Sequence, residues 1–357
     1  MSARAALRWL RLRFFASWAS GVASVAGLAL LSWVIPPMWR WLITDAVLGP
    51  ASLETCLKAK GACWAFLYDK WRLILFGQFT YDEQWRAGLA VIVFIAMVAL
   101  SCVPTLWTTR ARRRGMFLAW AVAVIAIAAL MRGGVLGLAP VEARLWGGLP
   151  LTILIASVGC AAAFLLGIVL ALGRRCDMPI LRWLCVGFIE FMRGVPLISL
   201  LFMSMIAFPL IVPPDVNVAQ LVRAQVAFAL FFAAYMAEAI RGGLQAIPRG
   251  QILAAEAIGL GYWQTQTRIV LPQALGLVIP SLVNIFIAAF KDTSLVVIIS
   301  MLDLLGTTNA AKADPKWWGL FVEAYLFIAA IYLAFCAAMS QFSRRLEMRI
   351  GAARQHA

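Results

Sequence analysis

Charge and histidine are what this sequence is short of. Of its 357 residues only 13% are charged, Asp and Glu together number 16, and the single histidine is His356. Soluble domains carry roughly 25% charged residues, so a water-facing surface over most of the chain is excluded. One histidine and seven scattered cysteines form no cluster with metal-ligand spacing. They also supply no Ser/His or Cys/His arrangement for a nucleophile, so catalysis by this chain is not expected. No G-x-x-x-x-G-K-S/T loop is present to cradle a nucleotide phosphate.

What the chain has instead is apolar length. Hydrophobic residues make up 64% and the mean hydropathy is +0.90. Several runs reach about 20 residues, enough for a helix to cross the hydrocarbon core of a bilayer. The runs are continuous rather than alternating, which argues against a β-barrel. The expected fold is an all-α membrane protein with about eight transmembrane helices. They are read at 18–36 (tilting on towards 43), 87–107, 116–131, 149–172, 197–211, 222–240, 274–300 and 320–340. The stretch 180–211 is too long for one crossing, and Gly194 and Pro196 interrupt it, so 180–193 is read as an interfacial segment. The first run follows basic residues Arg4 to Arg13 but is longer than the apolar region of a signal peptide, so it is read as a retained helix.

The net charge of +15 does not point to nucleic acid. The arginines sit in short groups beside apolar runs, such as Arg110 with Arg112, Arg113 and Arg114, and Arg174 with Arg175. Such groups mark the cytosolic ends of spans. With an even number of spans, both termini are expected in the cytosol. Composition changes near residue 145. Before it, three spans carry almost no intramembrane charge. After it, Glu190, Glu238, Lys291 and Asp292 fall at or near membrane depth, where ionisable groups face a partner or a wet path. Residues 1–145, with the external loop 44–86, are therefore read as an accessory region. Residues 146–345 are read as the working core and 346–357 as a cytosolic tail.

Four groups of residues are singled out. The cytosolic loop 248–272 carries a helix-forming run ending at Ile258, a break at Gly259 and Gly261, and a second short helix closed by Pro272. Its small residues Ala254, Ala255 and Gly259 suit close approach of another backbone, so it is read as a docking loop or as an ordinary interfacial loop. Lys291, Asp292, Thr293 and Ser294 lie late in an apolar span. They either line a path for a zwitterion, or Lys291 pairs with Glu190 or Glu238 and pins the bundle. Glu190 with Arg193, and Glu238 with Arg241, are spaced for pairing within a helix. They are helix-end anchors or gating contacts. Cys56 and Cys63 flank a polar external stretch, where a disulfide is one of two open readings.

The docking loop has a further feature. Gly259 is followed by nine residues and then by Ile269, Val270, Leu271 and Pro272. That spacing resembles the coupling loop of ABC-importer permeases. The segments FIEFMRGVPLI (188–198), YMAEAIRGGLQAI (235–247) and FKDTSLVVII (290–299) resemble the polar amino-acid permease family of the histidine, glutamine and arginine type. The N-terminal spans and the pattern WRLILFG…WRAGLAV (71–91) resemble the larger permease subunit of general L-amino-acid systems. The resemblance implies a type I importer core of five helices with three added ahead of it, in a bacterial inner membrane. It implies no cofactor in this chain, with ATP bound by two separate ATPase subunits. It implies as further partners a related second permease, a periplasmic amino-acid-binding protein and membrane lipid. Coupling to the ATPase falls by resemblance to Ala254, Ala255, Glu256, Gly259, Ile269, Leu271 and Pro272. The leading acidic residue of the motif is Leu253 here, with Glu256 three residues on. Two other readings fit the composition alone: an ion-gradient-driven secondary transporter and a non-transporting scaffold. The first predicts paired repeats and gives no reason for a docking loop, and the second does not need charges at membrane depth.

Overall fold

Inside a bilayer a backbone amide has no water to bond, so each crossing segment must close its own hydrogen bonds. The computed structural model of the chain obeys that constraint. It describes residues 13–135, 137–213 and 218–355. Arg4, Arg8, Arg11 and His356 lie outside them. Among the described residues the extended pairings are two isolated bridges, Val47–Cys63 and Gly148–Asp303, and the rest is helix and turn.

The α-helices run in order as α1 (Trp18–Trp39), α2 (Leu53–Lys58), α3 (Ala65–Phe76), α4 (Gln84–Ser101), α5 (Arg110–Arg132), α6 (Gly148–Gly173), α7 (Pro179–Gly194) and α8 (Leu197–Ile206). They continue as α9 (Phe208–Ile211), α10 (Gln220–Gln245), α11 (Arg249–Ala257), α12 (Tyr262–Thr265), α13 (Leu271–Asp292), α14 (Leu304–Lys312) and α15 (Phe321–Gln355). Seven helical segments are long and apolar enough to cross a membrane, and an eighth crossing exists if α7 and the segment Leu197–Ile211 count as one broken span. That pair is bent by 103°. The corner has a simple cause: α7 stops at Gly194, and Pro196, in extended backbone, caps the start of α8.

Several boundaries differ from the sequence reading. The arginine group 110–114 is not a loop but the first turns of α5, started by the Thr109 side chain, which accepts from the Arg112 N–H at 3.3 Å. The loop 44–86 holds α2 and α3, and α14 forms between the last two spans. The final helix runs on past Ser340 to Gln355.

Contacts divide the chain into two compact units, residues 1–70 with 312–324, and residues 71–311 with 325–357. In the smaller unit α1 has no buried residue. The segment between α1 and α3 is tied by a Cys56–Cys63 disulfide whose Cα atoms lie 5.4 Å apart. The Cys63 N–H donates to Glu323 Oε1 at 2.9 Å, and the Trp317 indole N–H donates to Asp69 at 2.6 Å. Lys70 pairs with Asp314 at 2.5 Å.

The compositional seam near residue 145 is not a packing seam, because 71–145 belongs to the larger unit. Arg86 shows why. Its side chain is wholly buried, and it donates from Nε to the Leu130 carbonyl at 2.9 Å. From Nη1 it donates to the Ala139 carbonyl at 2.9 Å and to Glu83 at 3.0 Å. α4 is thereby locked to the end of α5 and the turn beyond it. The central packing is α6 on α10. A Cβ at Gly159 would come within 2.6 Å of Phe228, and one at Gly167 within 3.0 Å of the Met236 Cβ. In lipid, where hydrophobicity does not drive helices together, such close backbone approach is what does.

Candidate functional site

The chain of contacts starts at the loop 248–272. Pro248 caps α11 in extended backbone, and the helix ends at Ala257, one residue before the expected Ile258. Gly259 then takes φ +79°, a left-handed conformation that reverses the chain at no side-chain cost. Ala255 is turned inward and buried, while Ala254 and Glu256 are exposed, so the three small residues do not form one outward face. What the loop shows to solvent includes Leu253, Ile258 and Trp263, between 63% and 74% exposed. An exposed apolar group of this kind is the mark of an interaction surface.

After Gly261 the sequence reading expects a short helix separated from the next span by Pro272. The structure instead runs α12 through a widened π-type turn, Gln266–Val270, directly into α13, and onward through a 3₁₀ segment to Ile299. The helical segment Tyr262–Ile299 is 38 residues long. Pro272 lacks an N–H and would break an ordinary helix interior. Here it follows the widened turn and occupies the first turn of α13, where a missing donor costs little. Ile269 and Leu271 are half-buried on this rod. The second half of the loop 248–272 and the Lys291–Ser294 group are therefore two positions on one helical segment.

At the far end of that rod Lys291 is exposed, Asp292 and Ser294 are half-buried, and Thr293 is buried with its hydroxyl donating to the Phe290 carbonyl at 2.9 Å. Lys291 forms no ion pair with Glu190 or Glu238, because both carboxylates are taken up elsewhere. The chain after Ile299 is held tightly. The Gln220 amide donates to the Ile299 carbonyl, Gly148 N–H to Leu302 at 2.9 Å, and Leu304 N–H to the Thr152 hydroxyl at 3.0 Å. Buried Asp303 accepts from Gly306 N–H at 2.9 Å and from the Tyr332 hydroxyl at 3.3 Å. Thr307 donates to the Ile74 carbonyl at 2.7 Å. Four elements thus fix one end of the rod while its other end carries the exposed loop.

A second group lies where α6, α7 and α10 converge. Arg174 pairs with Glu238 and, at 3.4 Å, with Glu190. Arg241 pairs with Glu238 at 2.9 Å, and Arg193 lies 3.9 Å from Glu190 and 4.0 Å from Glu238. The four residues expected as two intrahelical pairs form one network across three helices, with Arg174 bridging both acids.

Residues 163–351 match the protein family described as the binding-protein-dependent transport system inner membrane component. The chain belongs to that family. The Escherichia coli (strain K12) inner membrane amino-acid ABC transporter permease protein YhdY is 45% identical over 98% of this chain and 94% of its own length. The glutamate/glutamine/aspartate/asparagine transport system permease protein BztC of Rhodobacter capsulatus is 34% identical over 97% of this chain and 94% of its own. A crystal structure of an amino acid ABC transporter with histidines aligns with a TM-score of 0.50 and 27% identity, over 57% of this chain and 92% of that one.

Sequence reasoning missed Arg174, because an arginine pair at the end of a span reads the same whether it sets topology or bridges two acids. It also missed Asp303, a lone acid in a short loop whose burial comes entirely from distant segments.

Proposed function

We propose that this permease is the membrane subunit of an ATP-driven importer of amino acids, with its termini and the loop 248–272 on the cytosolic side. It pairs with a related second permease to form the path. It takes substrate from an external binding protein, and it binds no ATP itself. The loop, through Ala254, Ala255, Glu256, Gly259, Ile269, Leu271 and Pro272, engages one of two separate ATPase subunits. Lys291, Asp292, Thr293 and Ser294 line the path, where a zwitterion finds both signs of charge and hydroxyl groups. The network of Arg174, Glu190, Arg193, Glu238 and Arg241 joins three helices at the cytosolic ends of the spans and rearranges as the path opens. Residues 1–145 are an accessory region added to the five-helix core.

The observation that carries this reading is the continuous helix Tyr262–Ile299. Displacement of the exposed apolar loop at one end is passed towards groups at membrane depth at the other, because the helix continues between them, with Pro280 in its interior as the place where it can bend. Such a rod does work only if the loop has different contacts in two states. The amino-acid class follows the names of the relatives.

The test is reconstitution of the complete assembly. The chain should co-purify with an ATPase subunit, and ATP-dependent uptake of labelled amino acid should require the external binding protein. Uptake by this chain alone on a proton or sodium gradient would overturn the proposal.

A further inference from the structure

Beside the docking loop lies a cavity of about 310 Å³, formed where the turn after α6 meets α11 and α12. Its lining includes Arg175, Asp177, Glu256, Tyr262, Thr265 and Ile252. Arg175 is held in place by donating from Nη1 to the Leu244 carbonyl at 3.0 Å, which leaves the rest of its guanidinium free to serve a ligand. The carboxylates of Asp177 and Glu256 take part in no hydrogen bond or ion pair among the described residues. No cluster of three His, Cys, Asp or Glu groups suited to a metal ion forms among those residues.

Thr265 decides the matter. It is 3% exposed, it lines the cavity, and its hydroxyl has no hydrogen-bond partner. A buried hydroxyl left unpaired costs free energy, so native structures give such groups a partner. Here the cavity is where a partner would sit. Its volume is at the lower limit of small-molecule sites, roughly 300 Å³, which suits a molecule of few heavy atoms. Its walls offer a guanidinium for a carboxylate, two carboxylates for an ammonium, and a hydroxyl between.

We propose that this cavity is a binding site for a small zwitterion, an amino acid with free carboxylate and ammonium groups, and that its occupation restrains the docking loop. The site is separate from Lys291–Ser294. Its place on the cytosolic face, and hence its role as a brake on import by product already inside, rest on the function proposed above. The physical argument is differential contact. The walls come from the α6–α7 turn on one side and from α11 and α12 on the other. A ligand bridging them favours whichever loop position keeps the walls at this spacing and opposes movement away from it.

The experiment uses the complete importer in proteoliposomes, with L-glutamine, L-glutamate and L-arginine as probes on the docking-loop face. The comparison is with a Thr265→Val, Asp177→Asn double variant. Valine keeps the shape of threonine, and neither hydroxyl nor carboxylate supports the fold through a bond, so the variant should import as well as the wild type when no probe is present. At least one probe should slow ATP-driven uptake by the wild type. At least about tenfold more of it should be needed for the same slowing in the variant, since a hydroxyl contact and a charged contact are lost together. Equilibrium binding of the labelled probes to the purified complex supplies a second readout, and the variant should lose one class of sites. Uptake that no probe slows, or equal slowing and equal binding in both proteins, overturns the proposal. If the wild type imports nothing yet shows probe binding that the variant lacks, the site stands and the import reading falls.

Discussion

Arg86 is the most costly residue in the structure to have placed. A guanidinium with no exposed surface gives up its hydration, and it is tolerable only where its donors find acceptors. Two backbone carbonyls, those of Leu130 and Ala139, and the Glu83 carboxylate serve Nε and Nη1, while Nη2 is buried with no hydrogen-bond partner among the described residues. Replacement by leucine removes the donors of all three acceptors at once. Arg86→Leu should lower stability by about 3 kcal/mol, seen as an earlier thermal midpoint of the purified chain in detergent. Arg86→Lys should recover only part of the loss, because an ammonium on a flexible stem cannot serve all three acceptors in the fixed geometry of a guanidinium. An Arg86→Leu chain as stable as the wild type would show that the loop 133–141 is held by something else. At this scale the sequence is a poor guide. Arg86 sits four residues after Asp82 in a polar loop and reads as surface charge. Arg174 reads as a topology marker. Glu190 and Glu238 are legible as membrane-depth acids, but their shared partner depends on how three helices converge, which spacing along one helix cannot reveal.

Helices are a different case, since lipid leaves the chain few options. The positions of the spans followed from run length, and the corner at Gly194 and Pro196 followed from proline's missing donor. The misjudged element is the most consequential one. Pro272 was expected to end a short helix, because a proline in a helix interior removes a bond and clashes with the preceding turn. The widened turn Gln266–Val270 removes both objections and lets the helix continue. That continuity predicts a separation of function. Inserting two glycines between Gly276 and Leu277, beyond every residue assigned to docking, should leave the loop, and with it co-purification of the ATPase subunit, unchanged. It should also let the rod bend, so that ATP hydrolysis continues while uptake falls by about tenfold or more, a loss of coupling free energy of at least 1.4 kcal/mol. Equal loss of hydrolysis and uptake would instead place the insertion's effect on docking. Uptake at wild-type rate would show that the rod is not the carrier of the movement.

At the scale of the whole chain the two compact units have opposite relations to pH. In the smaller unit the Trp317 indole N–H, with Lys70 and Lys316, holds the Asp69 carboxyl below its ordinary range. The hydrogen bond from Lys70, helped by the Lys316 backbone, does the same for Asp314. Burial works against the charge on Lys70, but the bond to Asp314 outweighs it and raises that pKa. A carboxyl with a lowered folded-state pKa adds stability that is present above its unfolded value, near 4, and lost as the pH falls below it. In the larger unit burial pushes the Asp303 carboxyl up to about 6, against the opposing hydrogen bonds from the Gly306 and Leu305 backbone and from Tyr332. Between about pH 4 and pH 6 the folded chain therefore holds a proton there that the unfolded chain has released, so stability declines as the pH rises through that window. Above it the full cost is present, about 2 to 3 kcal/mol for a shift of this size. Hydrogen exchange at about pH 4.5, 6 and 7.5, corrected for intrinsic rates, separates the two units because each reports on its own peptides. Protection across residues 299–308 should fall with rising pH, while that across 47–70 should stay level. Asp303→Asn should flatten the first trend, since an amide keeps the shape without the titration. A rise in protection of 299–308 with pH would mean that the Asp303 carboxylate is stabilised by its donors more than burial disfavours it. The fixed end of the rod would then be strongest where Asp303 is charged.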